Sequence, residues 1–440
     1  MRRVAVAALS ASTLEWFDFY IYGTAAALVF NKVFFSDADP TLGTLAAFAT
    51  FGVGFVFRPV GGLLFGHYGD RIGRKKLLVI AMVMMGASTT LIGALPTYAA
   101  IGFAAPLLLV VLRCVQGIAV GGQYGGSMLL VTENAPAHRR GYFGSFAHMG
   151  PSLATILSNL VFLGLAAALP GPAFLAWGWR VPFLLSVLVI ALGLYMQLRL
   201  EDTPDFRALQ QAQARKAAEA GASGTPVRRG RSPILEAIRT HPRQIVQTAG
   251  MMLSIQVFYY IMIVFVLSYV TQHGVARSTI LTILLVSSAV SVALLPVFSG
   301  LSDRIGRKRV ILPGALGILV AAFPFFWLVD TLTVWGMLTA ALIGGVVLAA
   351  LYGPMAAFLT EMFTTEVRYS GASIGYQLAA VIGGGFAPLI AASLMAGTGT
   401  VNSVATYVAV AGVISVVAVA TTHESYRPPA RQKAAVGQRT

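Results

Sequence analysis

Long apolar runs separated by short polar turns fill the chain, and a helix of about 20 such residues crosses the roughly 30 Å hydrocarbon layer of a bilayer. The pattern predicts twelve spanning helices, near residues 5–31, 42–67, 77–96, 104–133, 141–169, 180–198, 244–271, 278–301, 310–329, 333–361, 369–396 and 401–421. An even number of crossings returns both termini to one face. One long polar stretch, 201–242, divides the runs six and six. The expected protein is therefore an all-α polytopic membrane protein. Its predicted parts are a six-helix bundle over 1–200, a central loop over 201–242, a second six-helix bundle over 243–423 and a tail over 424–440. Within the loop, Asp205 to Ala220 can form a surface helix, and the Gly/Ser/Pro/Arg segment after it reads as flexible linker.

The two bundles echo each other. The charged turn from Gly66 to Lys76, with Asp70, Arg71, Gly73 and Arg74, returns as Gly300 to Arg309, with Asp303, Arg304, Gly306 and Arg307. Thr132-Glu133 precedes Arg140 by the same interval at which Thr360-Glu361 precedes Arg368. Such repetition implies pseudo-symmetric halves, the layout of a two-bundle secondary transporter. Basic residues alone would only fix topology, which leaves the acidic Asp70 and Asp303 unexplained. Charge networks at moving interfaces are a recognised switching device. Asp70, Arg74, Glu133 and Arg140, with Asp303, Arg307, Glu361 and Arg368, are accordingly expected to form the two halves of an inner gate.

Composition agrees with a bilayer as solvent: 57% of residues are hydrophobic and 11% charged, too apolar for an ordinary soluble chain. The net charge of +15 would suggest nucleic acid in a soluble protein, but its distribution argues otherwise. Lys32, Arg180 and Arg277 fall on the face opposite the termini and Arg58 and Arg113 within helices, while the remaining Lys and Arg share the terminal side. The positive-inside rule then puts both termini in the cytoplasm, and no nucleic-acid partner is expected. The basic face of the central loop is expected near anionic lipid headgroups. Met1-Arg2-Arg3 and the apolar run behind it lack a small-residue cleavage site and contain Glu15 and Asp18, so they read as the first span. A single cysteine, Cys114, excludes an internal disulfide and a Cys-based metal site. No cofactor is expected, only a proton gradient as the driving force.

Ionisable groups inside a membrane are costly and usually face a cavity or one another. Glu15 and Asp18 share a face of the first helix with Tyr22 one turn on; Arg58 lies in the second, and Arg113, Gln116 and Gln123 in the fourth. Glu15, Asp18 and Arg113 are the candidate proton-coupling set: a carboxylate takes up and releases a proton while Arg113 draws an anionic substrate, whose arrival switches the protonation. The competing expectation is a static carboxylate–arginine pair that locks helices together. Polar positions that converge with them are candidate substrate contacts. These are Tyr22, Arg58, Arg113, Gln116 and Gln123; His148 and Ser152, in a stripe with Thr155 and Asn159; Gln256, Tyr259 and Tyr260; Tyr352; and Tyr376 with Gln377. Gly117, Gly121, Gly122, Gly125 and Gly126 most simply permit close helix packing.

These residues resemble the major facilitator superfamily over the whole chain. Within it they resemble the metabolite:proton symporter group, which includes shikimate, 2-oxoglutarate, citrate and proline/betaine carriers. The turns around Asp70 and Asp303 are similar to the superfamily's signature loop, Arg113 to Gly121 to its fourth-helix motif, and Leu14-Glu15-Trp16-Phe17-Asp18-Phe19-Tyr20 to the group's first-helix signature. Thr44 to Gly69, Glu361-Met362-Phe363, Arg368 to Ala372 and Gly383 to Phe386 run close to the shikimate-carrying branch. The group usually has Glu where this chain has Gln123, a neutral amide that keeps hydrogen bonding and loses the proton. The resemblance implies the major facilitator fold, a monomer in the cytoplasmic (inner) membrane, and proton symport of a small organic acid by alternating access. A cyclic or aromatic hydroxy-monocarboxylate suits a single central Arg113. Di- and tricarboxylates remain an alternative, as does a zwitterion such as proline or betaine, for which the tyrosines would offer cation–π contacts. A non-transporting sensor is disfavoured because the central loop is too short for an output domain. An enzyme is disfavoured because no nucleotide loop, metal cluster or nucleophile with a paired base is present.

Overall fold

The computed structural model describes residues 1–72, 74–123, 128, 131–132, 134–199, 233–364, 367–424 and 426. Among the described residues every regular element is helical. We number the membrane helices α1 (Val4–Val33), α2 (Pro40–Phe65), α3 (Arg74–Ala94), α4 (Ala104–Gln123), α5 (Arg140–Ala168) and α6 (Gly171–Gly178 with Arg180–Leu188). The second half continues with α7 (Pro242–Gln272), α8 (Arg277–Ile305), α9 (Lys308–Asp330), α10 (Val334–Met362), α11 (Ser370–Thr398) and α12 (Val401–Thr421). Of these, α3 carries the shortest apolar run, Val79–Ala94.

Each predicted span overlaps one helix of this set, with 124–127, 129–130 and 133 of the fourth outside the described residues, and α6 departs most. It starts at Gly171, ahead of the predicted 180, and bends by 43° between its two pieces. The bend has a local cause. Fully buried Trp179 packs against Phe30 and Phe34 with ring centroids 5.7 Å away in each case. Arg180 beside it donates to the Gly93 and Leu95 carbonyls at 2.7 and 2.5 Å. A membrane cation thereby becomes a cap for the end of α3.

Wider π turns interrupt α1 at Ala26–Phe30 and α7 at Ile261–Phe265, the opening helices of the two halves. Another spans Ala380–Gly385 in α11. Such turns leave a backbone carbonyl less tightly held and concentrate at functional sites. α2 turns at Phe57, just before Arg58-Pro59, where proline cannot donate to the preceding turn.

Within the first half α1 packs on α5, α2 on α4, and α3 on α4 and α6; within the second α9 packs on α10 and α12, and α7 on α11 and α12. Across the halves, α5 runs along α8 and α2 meets α11. Leu63, Val83, Leu107, Val320 and Trp335 point outward among many exposed apolar side chains, as a lipid-facing surface requires.

Candidate transport site and gate

Close approach of α2 and α4 sets the position of the buried cations. A Cβ on Gly61 would fall 1.9 Å from the Ile118 carbonyl oxygen, and one on Gly121 would fall 1.9 Å from that of Arg58. Gly117 meets Gly54 in the same manner. Glycine at these contacts lets two backbones touch, which brings Arg113 of α4 against the α2 backbone. Arg113 is fully buried, donates through Nη2 to the Phe51 carbonyl at 3.3 Å, and stacks its guanidinium 3.8 Å from the Tyr22 ring centre. Tyr22 in turn donates to Thr50 at 2.6 Å.

From Arg113 a hydrogen-bonded chain leads to Asp18. Arg113 donates to Gln116 Oε1, Gln116 Nε2 donates to Thr89 Oγ1 at 2.9 Å, and Thr89 lies 3.3 Å from Asp18 Oδ2. The other carboxylate oxygen accepts from Ser186 at 2.6 Å. Asp18 is buried and held by hydroxyls alone. The Thr89 hydroxyl has one proton and a second acceptor, the Met85 carbonyl at 2.8 Å. It can therefore donate to an ionised Asp18, or turn to Met85 and accept from a protonated one.

Arg58 occupies a different setting. It is fully buried, at 0% relative exposure, and none of its three guanidinium nitrogens has a hydrogen-bond partner. Instead Phe55, Phe19 and Trp16 surround it at 4.2, 4.3 and 5.2 Å. Glu15 Oε1 is likewise buried without a partner. Among the described residues neither Glu15 nor Asp18 makes an ion pair with Arg58 or Arg113. Among the described residues no static carboxylate–arginine ion pair forms: Gln116 and Thr89 stand between Asp18 and Arg113, and Arg58, with aromatic rings around it, acts on Glu15 through space alone.

A small cavity of about 40 Å³ lies between the halves, lined by Trp16, Tyr20, Ser152, Gln256, Tyr259, Tyr260, Ser291, Tyr352 and Tyr376 with apolar neighbours. No charged side chain lines it. Tyr260 separates it from the cations, with its ring centre 5.2 Å from Phe55, which itself covers Arg58. Polar contacts across the halves close around the cavity: Thr155 and Tyr259 hydroxyls meet at 2.7 Å. His148 Nδ1 donates to the Tyr352 carbonyl at 2.9 Å while its ring stacks on that of Tyr352 at 3.9 Å. The buried Gln256 Nε2 has no partner, so a donor is available at the cavity wall.

At the face that carries the termini, Asp303 closes the molecule. Its Oδ1 accepts from the Gly141 N–H at 2.9 Å and its Oδ2 from the Tyr142 N–H at 2.8 Å, so the end of α8 is bound to the start of α5 in the other half. Arg307 donates to Asp303 at 2.5 Å and to Glu361 at 3.1 Å. Burial opposes the Arg307 charge, and Glu361 and Asp303 more than offset it, holding the guanidinium above its ordinary pKa. The chain after α12 returns here: Glu424 accepts from the Arg307 and Lys308 backbone N–H groups, and Tyr426 donates to the Asp303 carbonyl at 2.8 Å.

The structure thus distributes the candidate residues over three places. Ser152, Gln256, Tyr259, Tyr260, Tyr352 and Tyr376 line the cavity, and His148 abuts it through Tyr352. Asp18, Tyr22, Arg113 and Gln116 form the polar chain behind it, with Glu15 and Arg58 beside the aromatic layer. Gln377 is buried with Oε1 unpartnered and does not line the cavity. Of the gate set, Asp303, Arg307 and Glu361 meet; Arg140 acts on Glu361 electrostatically, and Arg368 stands at the start of its helix. The side chains of Asp70, Arg74 and Gln123, all of Glu133, and the central loop over 200–232 lie outside the described residues. Sequence reasoning missed Thr89, Ser186, Trp16 and Tyr20. A lone hydroxyl in an apolar helix carries no signal, whereas Trp16 and Tyr20, four apart and stacked at 5.5 Å, form the neighbouring stripe of the helix that carries Glu15 and Asp18.

The sugar (and other) transporter family matches residues 4–426. The shikimate transporter of Escherichia coli (strain K12) is 39% identical over 417 residues, which cover 94% of this chain and 92% of that one. The proline/betaine transporter of Salmonella typhimurium (strain LT2) is 34% identical over 428 residues, 95% of this chain and 82% of its own. A crystal structure of a D-xylose-proton symporter superposes with a TM-score of 0.73 over 95% of each chain at 19% identity, a likeness of fold. The chain belongs to the sugar (and other) transporter family of the major facilitator superfamily, whose members are transporters and not enzymes, and it is a multi-pass protein of the cell inner membrane.

Proposed function

We propose that the protein is a proton-coupled symporter that imports a small organic acid, shikimate or a related cyclic hydroxy-monocarboxylate, by alternating access. The observation that carries this reading is the chain Asp18–Thr89–Gln116–Arg113 behind a cavity that both halves enclose. A carboxylate held by two hydroxyls, with no cation against it, can gain a proton without breaking an ion pair. Its protonation turns the Thr89 proton to the Met85 carbonyl while Thr89 goes on accepting from Gln116, so the loss of charge at Asp18 is felt through an intact chain by Arg113. The substrate carboxylate reaches the cations when Tyr260 withdraws, a motion for which the π turn immediately after it in α7 supplies slack. Substrate hydroxyls meet Gln256, Ser152 and the tyrosines. Arg113 as the one hydrogen-bonded central cation favours one carboxylate over three.

In this cycle the Asp303 contacts keep the cytoplasmic face shut while substrate and proton load from the other side. Resemblance to the shikimate transporter supports the substrate class, and the +15 charge distribution supports the orientation. The test is uptake of labelled shikimate into proteoliposomes with and without an inward proton gradient, in competition with unlabelled shikimate or betaine. Gradient-stimulated accumulation that shikimate blocks and betaine leaves intact is expected. Block by betaine instead would transfer the reading to a zwitterion, for which the tyrosine-lined wall supplies cation–π surfaces.

A further inference from the structure

The face opposite the termini holds a larger cavity, about 390 Å³, to which both halves contribute. Asn31 and Lys32 at the end of α1 and Phe174 in α6 line it from one half, and Gln272 and Arg277 at the α7–α8 junction from the other. Lys32 and Arg277 are its only charged lining residues. Among the described residues this face has one further Lys or Arg, Arg180, which is committed to the Gly93 and Leu95 carbonyls. Lys32 and Arg277 differ: among the described residues neither pairs with a carboxylate or donates to a protein acceptor, and Arg277 rests its guanidinium 5.1 Å from the Phe174 ring. The acids of this face are otherwise engaged, Asp37 accepting from the Ser36 hydroxyl at 3.4 Å, Asp39 from the Thr41 N–H at 2.9 Å and Asp330 from Tyr269. Asn31 donates through Nδ2 to Thr44 at 3.4 Å, and its buried Oδ1, an acceptor without a partner, can take a hydroxyl of the anion but not its carboxylate. A concave site with one sign of charge concentrates opposite charge and speeds its arrival.

We propose that this vestibule is an outer anion subsite, in which Lys32 and Arg277 hold a small soluble carboxylate before it enters the central cavity. The assignment rests on the reading of the substrate as an organic anion. An anion held by both cations bridges the two halves on this face. Lipid headgroup phosphate has similar chemistry and lies at similar depth, so the test separates the two sources.

The double variant Lys32→Gln/Arg277→Gln is compared with wild type for initial rates of shikimate uptake in proteoliposomes of purely zwitterionic lipid. The expected result is a KM raised about tenfold at low ionic strength with kcat unchanged, the gap closing by about 0.5 M KCl as charge is screened. The exchanged pair Lys32→Arg/Arg277→Lys is expected to keep the wild-type KM, which separates lost charge from lost folding. Bromide soaked into crystals grown in phospholipid-free detergent is expected to give an anomalous peak between Lys32 and Arg277. An unchanged KM, a fall in kcat alone, a salt-independent effect, or an effect seen only with anionic lipid overturns the proposal. If wild type takes up no shikimate, the transport reading fails by itself, and the bromide peak, present or absent, decides the subsite.

Discussion

Asp303→Asn tests the closed face most sharply, because the replacement keeps shape and removes one acceptor and the charge. Of the three bonds to its carboxylate, the one from Arg307 lies within the second half and survives opening. Those from the Gly141 and Tyr142 N–H groups, at 2.9 and 2.8 Å, cross between halves and break when the face opens. Only the crossing pair therefore weights closed against open. An asparagine presents one oxygen and one NH₂, so one backbone N–H loses its acceptor and the other keeps a neutral one. Hydrogen bonds to charged groups contribute about 1.5–3 kcal/mol and neutral ones about 0.5–1.5. The loss is then about 2.5–4.5 kcal/mol, or about 60- to 1,600-fold in the closed-to-open ratio at about 1.4 kcal/mol per tenfold. Spin labels at the exposed positions 139 and 304, on a Cys114→Ser background, report the separation of the α5 and α8 ends by double electron–electron resonance. The variant is expected to shift most of the population to the longer distance. A distribution like that of the unsubstituted pair would refute the assignment of these two bonds to the gate.

Other outcomes follow from the same geometry. Gly141→Ala places a Cβ 2.7 Å from the Ser299 carbonyl oxygen and 2.3 Å from Arg307 Nη1; since the Ser299 backbone cannot turn aside, the same labels should move apart. Thr89→Val removes the hydroxyl between Asp18 and Gln116, and a broken buried network of about 1–3 kcal/mol should lower gradient-driven accumulation about tenfold while leaving counterflow near wild type. Gly61→Ala must push the Ile118 carbonyl away from 1.9 Å, an overpacking cost of about 1–3 kcal/mol, and should lower the Tm in detergent. Gly164→Ala in α5 meets nothing within 4 Å and serves as the control with no loss.

The bundle was legible because bilayer thickness imposes one length on every span, so apolar runs such as 278–301 and 401–421 mark α8 and α12 without reference to packing. Only the first piece of α6 was not: the run 180–198 marks the helix from Arg180, but Gly171–Gly178 is short and glycine- and proline-bounded, and it joins the span through a 43° bend beside buried Trp179. At the site, the intramembrane charges announced themselves by their cost. Their partners did not: Thr89 and Ser186 look like any hydroxyl that bonds its own helix, and only the fold turns them toward Asp18. Cation–aromatic contact explains the remaining difference. Arg58 is expected beside a carboxylate or a ligand, and the structure surrounds it with Phe19, Phe55 and Trp16, whose spacing along the chain resembles ordinary apolar packing. Asp303 shows the converse. A repeated acid among basic residues pointed to a contact, and Arg307 supplies one, but the donors that bind Asp303 across the halves are backbone N–H groups, invisible to any pattern of side chains.

The coupling role of Asp18 is tested most directly by following proton entry with an internal pH dye when shikimate is added outside proteoliposomes, for wild type and Asp18→Asn. Wild type should acidify the lumen on shikimate addition, and Asp18→Asn should abolish that acidification and gradient-driven accumulation while still exchanging labelled for unlabelled shikimate. Shikimate-dependent acidification that persists in Asp18→Asn would contradict the assignment of the coupled proton to this carboxylate.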